Sequence, residues 1–208
     1  MDELTACTPL RLWADGFNKE VILPCGLSTE HVTKAMNDFL DFLGFINRQL
    51  HTRNLSRLES FLMVANFSSM VGEFMAGAIP KYCKTLARNT YHNGHPDMVP
   101  AGRYESNSCQ HGEEGIEIKG SRHTSGWQGH NAEKTWLIVF VFDANSARDE
   151  GLRIGPKPFR FLKVVGAQLE KSDWAFSGRS ATSRRTITAS VTKSGAAKME
   201  ANWIYRSE

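Results

Sequence analysis

The sequence lacks several features that would assign a protein to a large class. It has no run of about 18 apolar residues, the length that a transmembrane helix needs. Its N-terminus lacks a basic segment followed by an apolar one, so we expect no secretory signal. Neither Gly-rich phosphate-binding motif is present, which argues against nucleotide binding through such a loop. These absences indicate a protein without a membrane span.

Cysteine is scarce and scattered. The four cysteines are Cys7, Cys25, Cys83 and Cys109, and no Cys-x-x-Cys pair occurs. A structural zinc site is therefore not expected. Reduced cysteines are the default in a cytoplasmic protein, and we predict that location here.

The chain has 208 residues and a net charge of +3, and its size fits one domain with a buried core. The charge is unevenly distributed. Residues 151–208 contain 11 Lys/Arg and 4 Asp/Glu, so the rest of the chain is net acidic. This asymmetry predicts that the last quarter of the chain faces a polyanion.

The first part of the chain, residues 28–80, is predicted to be helical. Apolar residues recur at helical spacing through residues 31–50, and Ser28 begins that helix. Phe39, Phe42 and Phe45 are assigned to its core face. A second helix is predicted from Asn54 or Ser56 to Pro80, where proline ends it.

Strands are predicted further along. Residues 115–120 alternate, with Ile116 and Ile118 on one face and Glu117 and Lys119 on the other. The run Thr135–Asp143 is apolar throughout and predicts a central strand buried on both faces. Further strands are predicted at residues 95–100, 159–169, 186–191 and 203–205. Residues 121–133 are judged too polar for the core.

The strand at residues 115–120 carries two candidate catalytic residues, Glu117 and Lys119. Alternate residues of a strand share a face, so these side chains lie about 7 Å apart along it. Asp97 precedes them in Pro96-Asp97, at a distance that a hairpin can close. Two carboxylates supply the hard oxygen ligands that Mg²⁺ prefers, and Lys119 would polarise water or stabilise charge on a phosphate.

Pro96-Asp97 followed by Glu117-x-Lys119 resembles the signature of the PD-(D/E)xK nuclease superfamily, most closely type II restriction endonucleases. The resemblance covers residues 54–143 in element order and is strict only at Asp97, Glu117 and Lys119. It implies an α/β fold with a restriction-endonuclease-like core, a mixed central sheet of four to five strands flanked by helices, and extra C-terminal strands. It further implies Mg²⁺-dependent cleavage of double-stranded DNA by a homodimer.

By this resemblance Asp97, Glu117 and Ile118 belong to the metal site, and Glu73 from the preceding helix joins the catalytic residues. The catalytic core would span residues 88–145 and the DNA-contact part residues 151–208. The long separation of Asp97 and Glu117 leaves Glu113 or Glu114 open as the second ligand.

DNA contacts are predicted at two places. Arg122, His123 and Gln128 follow the Glu-x-Lys strand. Residues 177–190 carry basic side chains among small hydroxyl residues that suit phosphate and guanine; these are Arg179, Arg184 and Arg185.

Three alternatives stay open. One is a non-catalytic DNA-binding module, and another is a repair or structure-specific nuclease of the same superfamily. His123, His130 and Asn131 suggest a His-Asn-His nuclease, but the spacing of its ββα-metal unit is not visible.

Overall fold

The computed structural model describes residues 1–129, 131–149, 151–176 and 188–208. Its helices are α1 (Glu3–Ala6), α2 (Thr29–His51), α3 (Leu58–Phe61), α4 (Val64–Tyr82) and α5 (Lys193–Ala201). Its strands are β1 (Leu86–Arg88), β2 (Met98–Pro100), β3 (Ile116–Ser121), β4 (Gln128–Gly129), β5 (Thr135–Asp143), β6 (Arg160–Leu169), β7 (Trp174–Phe176), β8 (Ala189–Val191) and β9 (Trp203–Arg206).

The fold is α/β, with a mixed sheet flanked by helices. Six strands form the sheet in the order β1-β2-β3-β5-β6-β9, one or two more than the four to five predicted. The difference arises because the short strand β1, which was not predicted, extends one edge; the predicted strand at residues 203–205 forms β9 at the other edge. Only β3 and β5 pair in parallel; the other neighbouring strands are antiparallel. A smaller sheet of three strands has the order β4-β8-β7.

Strand β5 separates two hydrophobic layers, as its apolar sequence predicts. Ile138 and Phe140 point to the layer formed with α2 and α4. Leu137 and Val139 point to the layer formed with the small sheet and α5. The strand is buried on both faces, which explains why polar residues do not alternate with apolar ones in its sequence.

The two long helices differ in how well the sequence predicts them. Helix α2 begins where expected, with Ser28 accepting a hydrogen bond from the His31 N–H. The predicted second helix is wrong in its bounds: it is broken into α3 and α4, and Arg57 rather than Asn54 or Ser56 precedes α3. Pro80 does not end α4, which continues for two residues after it.

Two burial predictions are also wrong. Phe45 is 57% exposed, because it lies on the side of α2 away from the sheet, whereas Phe39 is fully buried. Trp127 is buried in the layer below the small sheet, although its segment is otherwise polar. Its indole N–H donates to the His123 carbonyl at 2.9 Å, which lets the ring enter the core without an unpaired donor.

Helix α4 lies directly against β3 where two glycines meet. A Cβ atom on Gly72 would be 3.3 Å from the backbone nitrogen of Gly120. A Cβ on Gly120 would overlap the carbonyl oxygen of Ser68. The missing side chains therefore set the distance between the helix and the strand that carries Glu117 and Lys119.

Candidate active site

A polar cleft of about 1210 Å³ opens beside the end of β3. Asp97, Glu117 and Lys119 all line it. Glu117 pairs with Leu137 and Lys119 with Val139 across the parallel strands, so both side chains project from the face that the small sheet covers. The strand alternation predicted from the sequence thus delivers the acid and the base to one cleft.

Asp97 reaches this cleft from the residue just before β2. Met98 pairs with Ile116, which brings Asp97 beside the start of β3. The Ile118 N–H donates to Asp97 Oδ2 at 2.8 Å. This bond ties the side chain of one signature residue to the backbone between the other two. Ile118 itself points into the core, so only its backbone faces the site.

The ionisation of Asp97 is strongly perturbed. Burial, and next the negative charge of Glu117, raises the pKa of Asp97 to about 7, although the Ile118 N–H and Lys119 act in the opposite direction. For Glu117, burial raises the pKa, but the hydrogen bond from His95 and the charge of Lys119 outweigh it, and the net pKa is lowered. The two carboxyls therefore differ: Glu117 is ionised first, and Asp97 resists a second negative charge beside it.

His95 stands between two carboxylates. Its Nδ1 lies 3.0 Å from Glu117 Oε2, and its Nε2 lies 2.9 Å from Glu133 Oε2. Burial lowers the pKa of His95, but the hydrogen bond and charge of Glu117, together with the charge of Glu133, outweigh it and raise the net value. An ionised carboxylate only accepts hydrogen bonds, so an imidazolium with two N–H donors fits this position.

The cleft is not basic. Its lining includes the carboxylates of Glu73, Asp97, Glu117 and Glu133, against the cations of Arg88 and Lys119 and the imidazolium of His95. The cleft therefore offers a polyanion no net positive charge unless a cation joins it.

Glu73 lies at the rim of the cleft rather than in its centre. Its carboxylate pairs with Arg88, and the two side chains are 63% and 54% exposed. Glu117 and Lys119, by comparison, are 16% and 24% exposed. The structure thus brings Glu73 to the same cleft as the signature residues but leaves it in solvent.

The predicted DNA contacts that follow β3 lie outside the cleft lining. Arg122 donates to the Ala144 and Asn145 carbonyl oxygens and stacks over Phe142, so its guanidinium is engaged within the fold. His123 and Gln128 are exposed at the surface. Gln128 belongs to β4, opposite Ser190.

The remaining predicted residues fall into two groups. Glu113 and Glu114 are exposed, and Glu114 pairs with Arg103 at 3.3 Å, away from the cleft lining. Arg179, Arg184, Arg185 and His130 lie outside the described residues.

Sequence reasoning missed His95 and Glu133. A signal existed for each. His95 is two residues before Asp97 in the predicted strand at residues 95–100, where alternate residues would share a side, although β2 begins only at Met98. Glu133 is two residues before β5, whose parallel pairing with β3 brings the starts of both strands to one edge of the sheet.

Searches with the whole sequence found no matching protein-family model and no matching curated protein. The interpretation of the cleft therefore depends on its own geometry and chemistry.

Proposed function

We propose that the protein is a Mg²⁺-dependent endonuclease that hydrolyses phosphodiester bonds of double-stranded DNA. The observation that carries this proposal is the convergence of Asp97, Glu117 and Lys119 on one cleft, Asp97 from the residue before β2 and the other two from β3. Two carboxylates and an ammonium group in a partly buried position are the set that metal-assisted phosphodiester hydrolysis uses.

The donor set suits Mg²⁺. Among the described residues, no three His, Cys, Asp or Glu side chains are grouped so as to hold a metal ion. Mg²⁺ commonly takes only one or two carboxylates and completes its coordination with water and substrate phosphate. The raised pKa of Asp97 points the same way, because a divalent cation would relieve the repulsion between its carboxylate and that of Glu117.

Asp97 and Glu117 would hold the ion, with the Ile118 main chain beside them. When bound, Mg²⁺ lowers the pKa of a coordinated water and neutralises charge on the phosphate. Lys119 Nζ lies 3.5 Å from Glu117 Oε1, so the ammonium stands beside the carboxylate and in the cleft. From there it would orient the attacking water or stabilise negative charge that develops on the phosphate oxygens.

The DNA part of the proposal depends on the C-terminal charge and on where the small sheet lies. Ala189 of β8 pairs with Gly129, which lines the cleft, and with Phe176 of β7. The residues that flank the Arg-rich sequence on both sides thus belong to a sheet that borders the cleft. Within this proposal a type II restriction enzyme acting as a homodimer is the most specific form, because a two-fold DNA site matches a two-fold protein.

Incubation of the purified protein with plasmid DNA and Mg²⁺ tests the proposal. We expect cleavage by the wild-type protein that EDTA abolishes. Asp97→Ala, Glu117→Ala and Lys119→Ala should each lower the rate by roughly 10²-fold or more, because each removes a group that acts on the reacting atoms.

Glu114→Ala is the matched control, since it removes an exposed carboxylate that is paired elsewhere. Cleavage that survives Glu117→Ala and Lys119→Ala would place the reaction at another site. DNA binding without cleavage, for plasmids from many sources, would instead indicate a non-catalytic binding module. Mapping the ends of the products would distinguish a sequence-specific enzyme from a structure-specific one.

A further inference from the structure

A line of three side chains crosses the cleft from Glu133, in the segment before β5, to Glu117. His95 Nδ1 donates to Glu117 Oε2 at 3.0 Å, and His95 Nε2 lies at an ion-pair distance of 2.9 Å from Glu133 Oε2. The three side chains are 21%, 19% and 16% exposed in the order Glu133, His95, Glu117. Partly buried, charge-assisted contacts of this kind are stronger than those of the open surface.

The far end of this line is anchored in the fold. The indole N–H of Trp174 donates to the Glu133 carbonyl oxygen at 2.9 Å, and Trp174 is itself a buried residue of the small sheet, in β7. Glu133 also lies two residues before the buried strand β5. The backbone of Glu133 is therefore fixed, and its carboxylate can hold the imidazole ring in one orientation.

At the other end of the line, the contact with His95 sets the orientation of the Glu117 carboxylate. The terminal torsion of a glutamate is broad, so an unbound carboxylate would rotate between many orientations. In the structure Oε2 is occupied by His95, while Oε1 is the atom nearest Lys119, at 3.5 Å. One oxygen thus accepts from His95, and the other has, among the described residues, only the longer contact with Lys119 and is the one available to a cation.

We propose that His95 and Glu133 are positioning residues that orient the Glu117 carboxylate for binding of the divalent cation. The inference rests on the proposed function, because it concerns the same cation site. Residues that orient metal ligands without touching the metal typically contribute 10- to 100-fold to metal affinity or activity. Glu133 and His95 would contribute in this way, through Glu117.

Two substitutions of His95 distinguish loss of the hydrogen bond to Glu117 from loss of the imidazole ring. The amide nitrogen of Asn is as many bonds from Cβ as His Nδ1, so His95→Asn can still donate to Glu117. The amide nitrogen of Gln corresponds to His Nε2, so His95→Gln keeps a polar group facing Glu133 but loses the donor to Glu117. Both variants are uncharged and differ by one methylene group, which makes each the control for the other.

The measurements are Mg²⁺ binding to the DNA-free protein by titration calorimetry, and kcat and KM for plasmid cleavage. Glu133→Ala and His95→Gln should weaken Mg²⁺ binding by about tenfold or more and lower kcat, with KM for DNA unchanged. His95→Asn should lie closer to the wild type than His95→Gln in both. Glu30→Ala, an exposed carboxylate on α2, controls for the loss of a negative charge.

Three outcomes would overturn the inference, and they are distinguishable. Wild-type Mg²⁺ affinity in both Glu133→Ala and His95→Gln would exclude the positioning role while leaving the proposed function standing. Equal losses in His95→Asn and His95→Gln would show that the bond to Glu117 is not the cause. Wild-type protein that neither binds Mg²⁺ nor cleaves DNA would overturn the proposed function, and this inference with it. If Glu133→Ala fails to fold, as circular dichroism would show, the two His95 variants decide.

Discussion

Carboxylates are buried at two places in this protein, and their charges are compensated to different extents. At the ends of α2 and α3, Glu59 is fully buried, yet both its oxygens are bound: Arg57 donates to Oε1 at 2.8 Å and Asn47 to Oε2 at 2.9 Å. Arg57 also donates to Glu3 and to Asn145, each at 2.8 Å. Every charge in this cluster has a partner within the fold.

In the cleft, the carboxylates are compensated less completely. Within the part of the chain that the structure describes, Asp97 has only the Ile118 N–H as a hydrogen-bond donor, and Glu117 has Lys119 at 3.5 Å and shares His95 with Glu133. The consequence is a pKa of about 7 for Asp97, caused first by burial and then by the charge of Glu117. The comparison teaches that burial of charge is not itself a sign of function. An incompletely compensated pair marks a candidate functional site, because structural ion pairs are usually completed within the protein.

The largest effect is expected from a substitution that breaks the compensated cluster of Arg57 and Glu59. Arg57→Met removes the cation and leaves Glu59 buried, which should cost about 3–5 kcal/mol in the free energy of unfolding. Guanidinium denaturation would measure it. Lys34→Met, which removes the exposed partner of Glu30, should change stability little. A small effect of Arg57→Met would mean that Glu59 finds another partner or water.

The next prediction tests the uncompensated pair through stability. The folded-state pKa of Asp97 is raised from 3.8 to about 7, so folding favours its protonated form. The resulting penalty is absent below about pH 4, grows as the pH rises toward 7, and is complete above it. Asp97→Asn cannot ionise and should be more stable than the wild type at pH 8 by up to about 4 kcal/mol in EDTA.

Denaturation curves of both proteins at pH 4 and pH 8 check this prediction. The advantage of Asp97→Asn should disappear at pH 4 and should shrink when Mg²⁺ is added to the wild-type protein, because a bound ligand stabilises the folded state. Equal stabilities at pH 8 would show that the Asp97 charge is compensated after all.

A third prediction separates DNA affinity from the chemistry of the cleft. Changing Arg179, Arg184 and Arg185 together to Ala should weaken DNA binding and make the dependence of log K on log salt shallower by roughly three units. Fluorescence anisotropy at several salt concentrations would measure the slope. Mg²⁺ affinity without DNA should stay as in the wild type, and an unchanged slope would show that this segment does not contact phosphate.

The smallest effect is expected at the rim. Glu73→Ala breaks an exposed pair with Arg88, and such pairs contribute about 0–1 kcal/mol. We therefore expect cleavage within roughly fivefold of the wild type. A loss comparable to that of Glu117→Ala would place Glu73 in the reaction itself.

The sequence predicted the sheet better than the helices. Strand β5 was predicted with its correct bounds. Its nine residues contact the core on both faces of the sheet, so nearly all of them are apolar and the run is easy to recognise. The break between α3 and α4 was missed because apolar residues continue through it, and the helical spacing alone shows no interruption. Pro80 lies in the last turn of α4, where the chain continues briefly despite the missing donor.

The residues of the candidate site also differ in how well the sequence predicts them. Asp97, Glu117 and Lys119 were predicted to lie together because they follow a known sequence signature, and all three line the cleft. His95 and Glu133 were missed because their relation to Glu117 depends on which strands pair and in which direction. That pairing is a property of the folded chain, and no local pattern around Glu133 reveals it. Residue Trp127 shows the same limit: a single buried ring in a polar segment has no periodicity to detect.

The contact between Gly72 and Gly120 has a consequence for how this protein tolerates change. Neither residue has a side chain to offer a substrate, yet a methyl group on Gly120 would press against the Ser68 carbonyl and Val71. Helix and strand would have to separate, and Lys119 would be displaced with the strand. A mutational scan should therefore find position 120 as intolerant as the charged residues around it, for reasons of spacing alone.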